Sequence, residues 1–95
     1  MMIVNPVPEP SPVRLLIVDD EPVVLEVTRD YLNTFASFQT EGVESGEQAL
    51  SLLETGSYDL IVSDYEMEPM SGIDLLRILR QRGDTTPFII FTGKG

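Results

Sequence analysis

Arg14-Leu15-Leu16-Ile17-Val18-Asp19-Asp20-Glu21-Pro22 decides the fold, and Asp59-Leu60-Ile61-Val62-Ser63-Asp64 repeats its logic. In each, an apolar run of strand length ends abruptly in carboxylates. Neighbouring parallel strands of this kind bring Asp19, Asp20 and Asp64 to one rim of a sheet. Charges about 4 Å apart repel by roughly 4 kcal/mol at an effective dielectric of about 20, so such a rim is strained or partly protonated until a cation joins it. A divalent metal with two or three protein oxygens answers that repulsion.

Outward from these runs, short apolar segments alternate with amphipathic ones, the pattern of βαβ units and a parallel sheet covered on both faces. The first strand is predicted over 14–19. Pro22 suits the first turn of a helix, and Val24, Val27, Tyr31 and Phe35 give that helix an apolar stripe near the 3.6 period. A second strand is expected over 38–43. Ser45, with Gln48 three positions on, resembles a capping box, and Ala49, Leu50 and Leu53 face inward from the helix it starts. The third strand, 59–63, is apolar enough to be buried on both faces. Ser71 with Asp74 opens a further helix whose Leu75, Ile78 and Leu79 point to the core, and Gly83 stops it. Pro87 starts a fourth strand, Phe88-Ile89-Ile90-Phe91, which ends at Thr92.

The order βαβαβαβ with right-handed crossovers predicts an α/β fold, a doubly wound parallel sheet of strand order 2-1-3-4. The first and third strands are then neighbours where the winding reverses, and the crevice at their carboxyl ends is where open α/β sheets bind ligands. Asp19, Asp20, Asp64 and Thr92 all fall at that rim. Residues 13–95 form one domain. Residues 1–12, with prolines at 6, 8, 10 and 12, read as an extended lead-in tail.

Composition narrows the chemistry. The 95 residues are 42% hydrophobic and carry a net charge of -10 with only six basic residues, which argues against a nucleic-acid or anionic-membrane partner. The absence of cysteine excludes disulfides and thiolate sites; the absence of histidine excludes imidazole acid-base chemistry and imidazole metal ligands. Carboxylate, hydroxyl and magnesium-like chemistry is left. No secretory leader and no bilayer-length apolar run is seen, and a cytoplasmic location is expected.

Four blocks carry a resemblance: Leu-Leu-Ile-Val-Asp-Asp-Glu-Pro at 15–22, Asp-Leu-Ile-Val-Ser-Asp-Tyr-Glu-Met at 59–67, Met-Ser-Gly-Ile-Asp-Leu-Leu at 70–76 and Pro-Phe-Ile-Ile-Phe-Thr-Gly at 87–93. Over residues 14–95 the chain resembles the receiver domain of two-component response regulators, a flavodoxin-like fold. The resemblance implies that Asp64 accepts a phosphoryl group from a histidine kinase or phosphotransfer protein. Asp20 would hold Mg2+ directly and Asp19 through water, together with Asp64 and the main-chain carbonyl of Glu66. Thr92 would sense the phosphoryl group, and Gly93 would be the small residue beside it. The implied protein is a signalling switch that assists its own phosphorylation and dephosphorylation, not a turnover enzyme. In line with this, a weak carboxylate nucleophile attacking an anionic phosphoryl group needs a bridging cation.

Two departures stand out. Glu68 precedes Pro69 where many receivers place proline directly after the methionine. The family's further helix, strand and helix are not found after the fourth strand, so the domain is expected to be incomplete. Its fifth-strand lysine is not matched by Lys94, and the fourth strand is expected to present an apolar edge capable of self-association. The alternatives are a non-phosphorylated receiver-like binding module and a Mg2+-dependent phosphohydrolase. The latter's Asp-x-Asp-x-Thr pattern is not met by Asp19-Asp20-Glu21-Pro22-Val23. Gly93-Lys94-Gly95 is not a Walker loop, since Phe88 stands where its first glycine is needed.

Overall fold

A computed structural model describes residues 12–34 and 38–92. In chain order the elements are β1 (Val13–Val18), α1 (Pro22–Asn33), β2 (Phe38–Val43), α2 (Gly46–Thr55), β3 (Leu60–Asp64), α3 (Gly72–Gln81) and β4 (Phe88–Phe91). The strands form one parallel sheet of order β2-β1-β3-β4, as the alternating pattern predicts. β1 and β3 each lie one residue from the expected bounds, which leaves Asp19 just beyond its strand and makes Asp64 the last residue of β3. The tail up to Ser11, together with Phe35, Gly93 and Lys94, falls outside the described residues.

α2 and α3 cover one face of the sheet. Leu16 and Val18 of β1 and Ile61 of β3 meet Ala49 and Leu50 of α2 and Leu75 and Leu79 of α3 in one buried cluster, with Leu53 and Ile78 packed against it. Local chemistry fixes the ends of both helices. Ser45 accepts from the Gln48 N–H, while the Gln48 side chain reaches past it to the Glu44 N–H, so the predicted box is offset by one residue. Ser71 and Asp74 form a full capping box. Gly83, with φ of +81°, ends α3 in a Schellman motif: its N–H bonds Arg80 O, and the Asp84 N–H bonds Leu79 O.

The other face differs from expectation in two ways. α1 packs on β2 and β1 through Leu25, which is 8% exposed, with Thr28 and Leu32 half-buried beside it. The anticipated stripe points elsewhere: Val27 is 61% and Tyr31 64% exposed. α1 carries two apolar stripes about one residue apart, and close approach to the sheet selects between them. A Cβ at Gly42 would stand 2.8 Å from Leu25 Cδ1 and 2.9 Å from Arg29 Cδ, so the glycine makes room for the helix face that carries Leu25 and Arg29. β3 is correspondingly buried on one face only. Ile61 and Ser63 are enclosed, whereas Leu60, Val62 and Asp64 are half-buried, because α1 sits over β1 and β2 and not over β3. Ile89, the register partner of Val62 on β4, is 51% exposed.

Leu25→Ala is expected to cost about 3 kcal/mol in this chain, and Val27→Ala no more than about 0.5 kcal/mol, as read by urea unfolding. Equal losses would contradict this helix phase.

Candidate functional site

Parallel register builds the site. Val18 of β1 pairs with Ser63 of β3, so the next residues, Asp19 and Asp64, lie level at the carboxyl ends of the two central strands. Asp20 follows in the turn into α1. One carboxylate oxygen from each of Asp19, Asp20 and Asp64 lies within 4.8 Å of the others. The three acids singled out by the sequence therefore converge, Asp19 only 2% exposed, Asp64 half-buried and Asp20 exposed.

Each acid has a local anchor or a reason for its position. The Asp19 N–H donates to Val43 O at 3.1 Å, tying it to β2, and its Oδ1 accepts from the Glu21 N–H at 2.9 Å. No side chain caps α1, so these acids do not serve the helix terminus as N-caps. Burial pushes the Asp19 carboxyl above its usual value; repulsion from Asp64, Asp20 and Glu21 adds to the rise, and the Glu21 N–H opposes it. Asp64 Oδ1 accepts a long bond from the Glu66 N–H at 3.4 Å. Its main-chain carbonyl accepts from the Ser63 hydroxyl at 3.0 Å. The Tyr65 N–H donates to Phe91 O at 2.8 Å, fixing the exit of β3 against β4.

Above these residues opens a cleft of about 640 Å³. Six carboxylates line it, from Asp19, Asp20, Glu21, Asp64, Glu66 and Glu68, and Val24, Met67 and Phe91 supply apolar wall. Among the described residues no Lys or Arg lines it. A hard, oxygen-only donor set with excess negative charge fits Mg2+ or a similar divalent cation and not a soft metal. Thr92 follows directly after Phe91, the register partner of Asp64, and is exposed; Gly93 is outside the described residues. Sequence reading passed over Val24, Ser63, Met67 and Phe91, which look like ordinary core positions, and Gly72, whose closeness to Asp64 only the folded chain reveals.

The family model for the response regulator receiver domain matches residues 15–95. The response regulator MprA of Mycolicibacterium vanbaalenii is 35% identical over 83 residues, covering 87% of this chain and 36% of that protein. The chemotaxis protein CheY of Pseudomonas aeruginosa is 36% identical over 67 residues, covering 70% of this chain and 54% of that protein. The chain thus spans 36% of the length of the first curated relatives it matches. Among solved structures, the receiver domain of the Francisella response regulator 1452 superposes with a TM-score of 0.80 at 32% identity, over 86% of this chain and 67% of that one. TrrA of Thermotoga maritima, in complex with Mg(2+)-BeF, gives 0.80 at 31% identity, over 87% and 71%.

A raised Asp19 pKa means that the folded chain binds that proton more tightly than the unfolded chain. Metal-free stability from this group is full below pH about 3.8 and is lost as pH rises through the raised value. Asp19→Asn keeps the oxygen that accepts from Glu21, so it is expected to raise the urea midpoint in EDTA at pH 7. The gain should shrink toward pH 4 and reverse when Mg2+ is added. An unchanged midpoint at pH 7 would refute the strain assigned to Asp19.

Proposed function

The chain belongs to the response regulator receiver domain family, and from that premise we propose that Asp64 is the phosphoacceptor of a two-component signalling switch. The observation that carries this reading is the convergence of Asp19, Asp20 and Asp64 within 4.8 Å at the carboxyl ends of β1 and β3. Receiver domains are signalling switches and not turnover enzymes. The donor in this proposal is a phosphohistidine on a histidine kinase or phosphotransfer protein, met in the cytoplasm. This chain has no histidine with which to make its own.

An Asp64 carboxylate oxygen attacks phosphorus, the phosphorus–nitrogen bond of the donor breaks, and the imidazole leaves, so that Asp64 carries an acyl phosphate. Asp20 and Asp64, Asp19 through water, and the Glu66 main-chain carbonyl would hold Mg2+. Bound there, the cation neutralises phosphoryl oxygens that the acidic rim otherwise repels. Asp19, held by the Glu21 N–H, keeps its charge aimed at the cation site. Val24, Met67 and Phe91 supply the apolar wall of the cleft beside the reacting carboxylate. The Thr92 hydroxyl donates to a phosphoryl oxygen and draws the end of β4 inward.

With acetyl phosphate as donor, the full chain is expected to gain the mass of one phosphoryl group in Mg2+ and none in EDTA, and Asp64→Asn to gain none. Equal labelling of Asp64→Asn, or labelling indifferent to EDTA, would overturn the assignment.

A further inference from the structure

Among the described residues two glycines open helices, and they face different things. A Cβ at Gly46, the first residue of α2, would stand 2.4, 3.0 and 3.2 Å from Met70 Sδ, Cγ and Cβ, all atoms of one flexible side chain, whose end can turn aside while its base gives by a few tenths of an ångström. A Cβ at Gly72, the first residue of α3, would stand 2.4 Å from the main-chain oxygen of Asp64, 3.3 Å from its carbonyl carbon and 3.2 Å from Ser63 Oγ. That oxygen has no rotamer to change. Either the first turn of α3 backs away, or the peptide that carries Asp64 moves.

The same peptide is held from other sides. The Ser63 hydroxyl, fully buried, donates to the Asp64 carbonyl at 3.0 Å. One residue on, the Gly72 N–H donates to Tyr65 O at 3.1 Å, and the Tyr65 N–H donates to Phe91 O at 2.8 Å. The Ser71–Asp74 capping box fixes the turn of α3 that presents Gly72. Side-chain oxygens that must stay within 4.8 Å of two other acids depend on the peptide from which Asp64 projects. Tight packing alone would explain a glycine here; packing against the carbonyl of the reacting residue, beside a buried hydroxyl bonded to that same carbonyl, does more.

The geometry points to Gly72 and Ser63 as positioning residues, which clamp the main-chain carbonyl of Asp64 and thereby hold its carboxylate in register with Asp19 and Asp20. Neither touches the phosphoryl group; both act through Asp64. The kinetic part of this inference rests on the phosphoacceptor reading above, whereas its metal-affinity part does not.

The test uses the full chain and three variants, Gly72→Ala, Ser63→Ala and Gly46→Ala. Mg2+ affinity is followed by NMR on the Asp64 amide, and labelling by acetyl phosphate is measured per folded molecule. Ser63→Ala should weaken Mg2+ binding about 10-fold, within the range for partners that orient metal ligands. Gly72→Ala should lower the labelling rate about 100-fold, the penalty of a misplacement near 1 Å, and weaken Mg2+ binding as well. Gly46→Ala should lose stability while keeping both constants. Ser63→Ala and Gly72→Ala matching Gly46→Ala in affinity and rate would overturn the clamp. Should Gly72→Ala fail to fold, Ser63→Ala alone decides: unchanged Mg2+ affinity overturns the clamp. If the parent chain takes no phosphoryl group while its variants still lose Mg2+ affinity, the phosphoacceptor reading falls and the clamp stands.

Discussion

Like charge held at the carboxyl ends of two hydrogen-bonded parallel strands is the constraint on which the site depends. The pairing of Val18 with Ser63 leaves no freedom to separate Asp19 from Asp64, because sliding one strand by a residue would turn every core side chain of β1 or β3 to the wrong face. Leu16, Ile17, Val18 and Ile61 are fully buried, so the apolar core enforces a register that the carboxylates alone would not choose. Burial raises the pKa of Asp19, and the repulsion from Asp64, Asp20 and Glu21 in that conflict adds to the rise. A cation bound there would resolve the conflict, which would link folding energetics to ligand binding.

The rest of the fold serves this rim. Capping at Ser45 and Ser71 aims α2 and α3 at one face of the sheet, where they bury the side chains that set the register. α3 has a second consequence, because its first residue lies against the Asp64 carbonyl. Away from the rim, the Tyr58 hydroxyl donates to Glu41 and the Arg14 guanidinium lies 4.9 Å from the Tyr58 ring centre, so the start of β1, the middle of β2 and the entry to β3 are joined. Burial, followed by the bond to Glu41, pushes the Tyr58 phenol up to about 12, and this bolt stays protonated across the physiological range.

Strand order and the three acids were legible in the sequence because both rest on abrupt changes of composition: apolar runs ending in charge, separated by segments of helical period. Helix phase in α1 was not, since Val24, Val27 and Tyr31 present as good a stripe as Leu25, Thr28 and Leu32. The choice lies in a long-range fit, Leu25 against the bare backbone of Gly42 on β2. The two-sided burial expected of β3 failed for a related reason: apolarity reports what a strand tolerates, and cover depends on where a helix lands. Ser63 and Gly72 were invisible as site residues because their contribution is a distance to a main-chain atom, which no side-chain pattern encodes.

In the proposed site one divalent cation sits among Asp19, Asp20 and Asp64, and a crystal of this chain grown with Mn2+ as an anomalous scatterer locates it. A single strong peak within coordination distance, about 2.2 Å, of carboxylate oxygens of Asp20 and Asp64 is the predicted result. An empty rim at saturating Mn2+, or a peak bound elsewhere on the acidic surface, would contradict it.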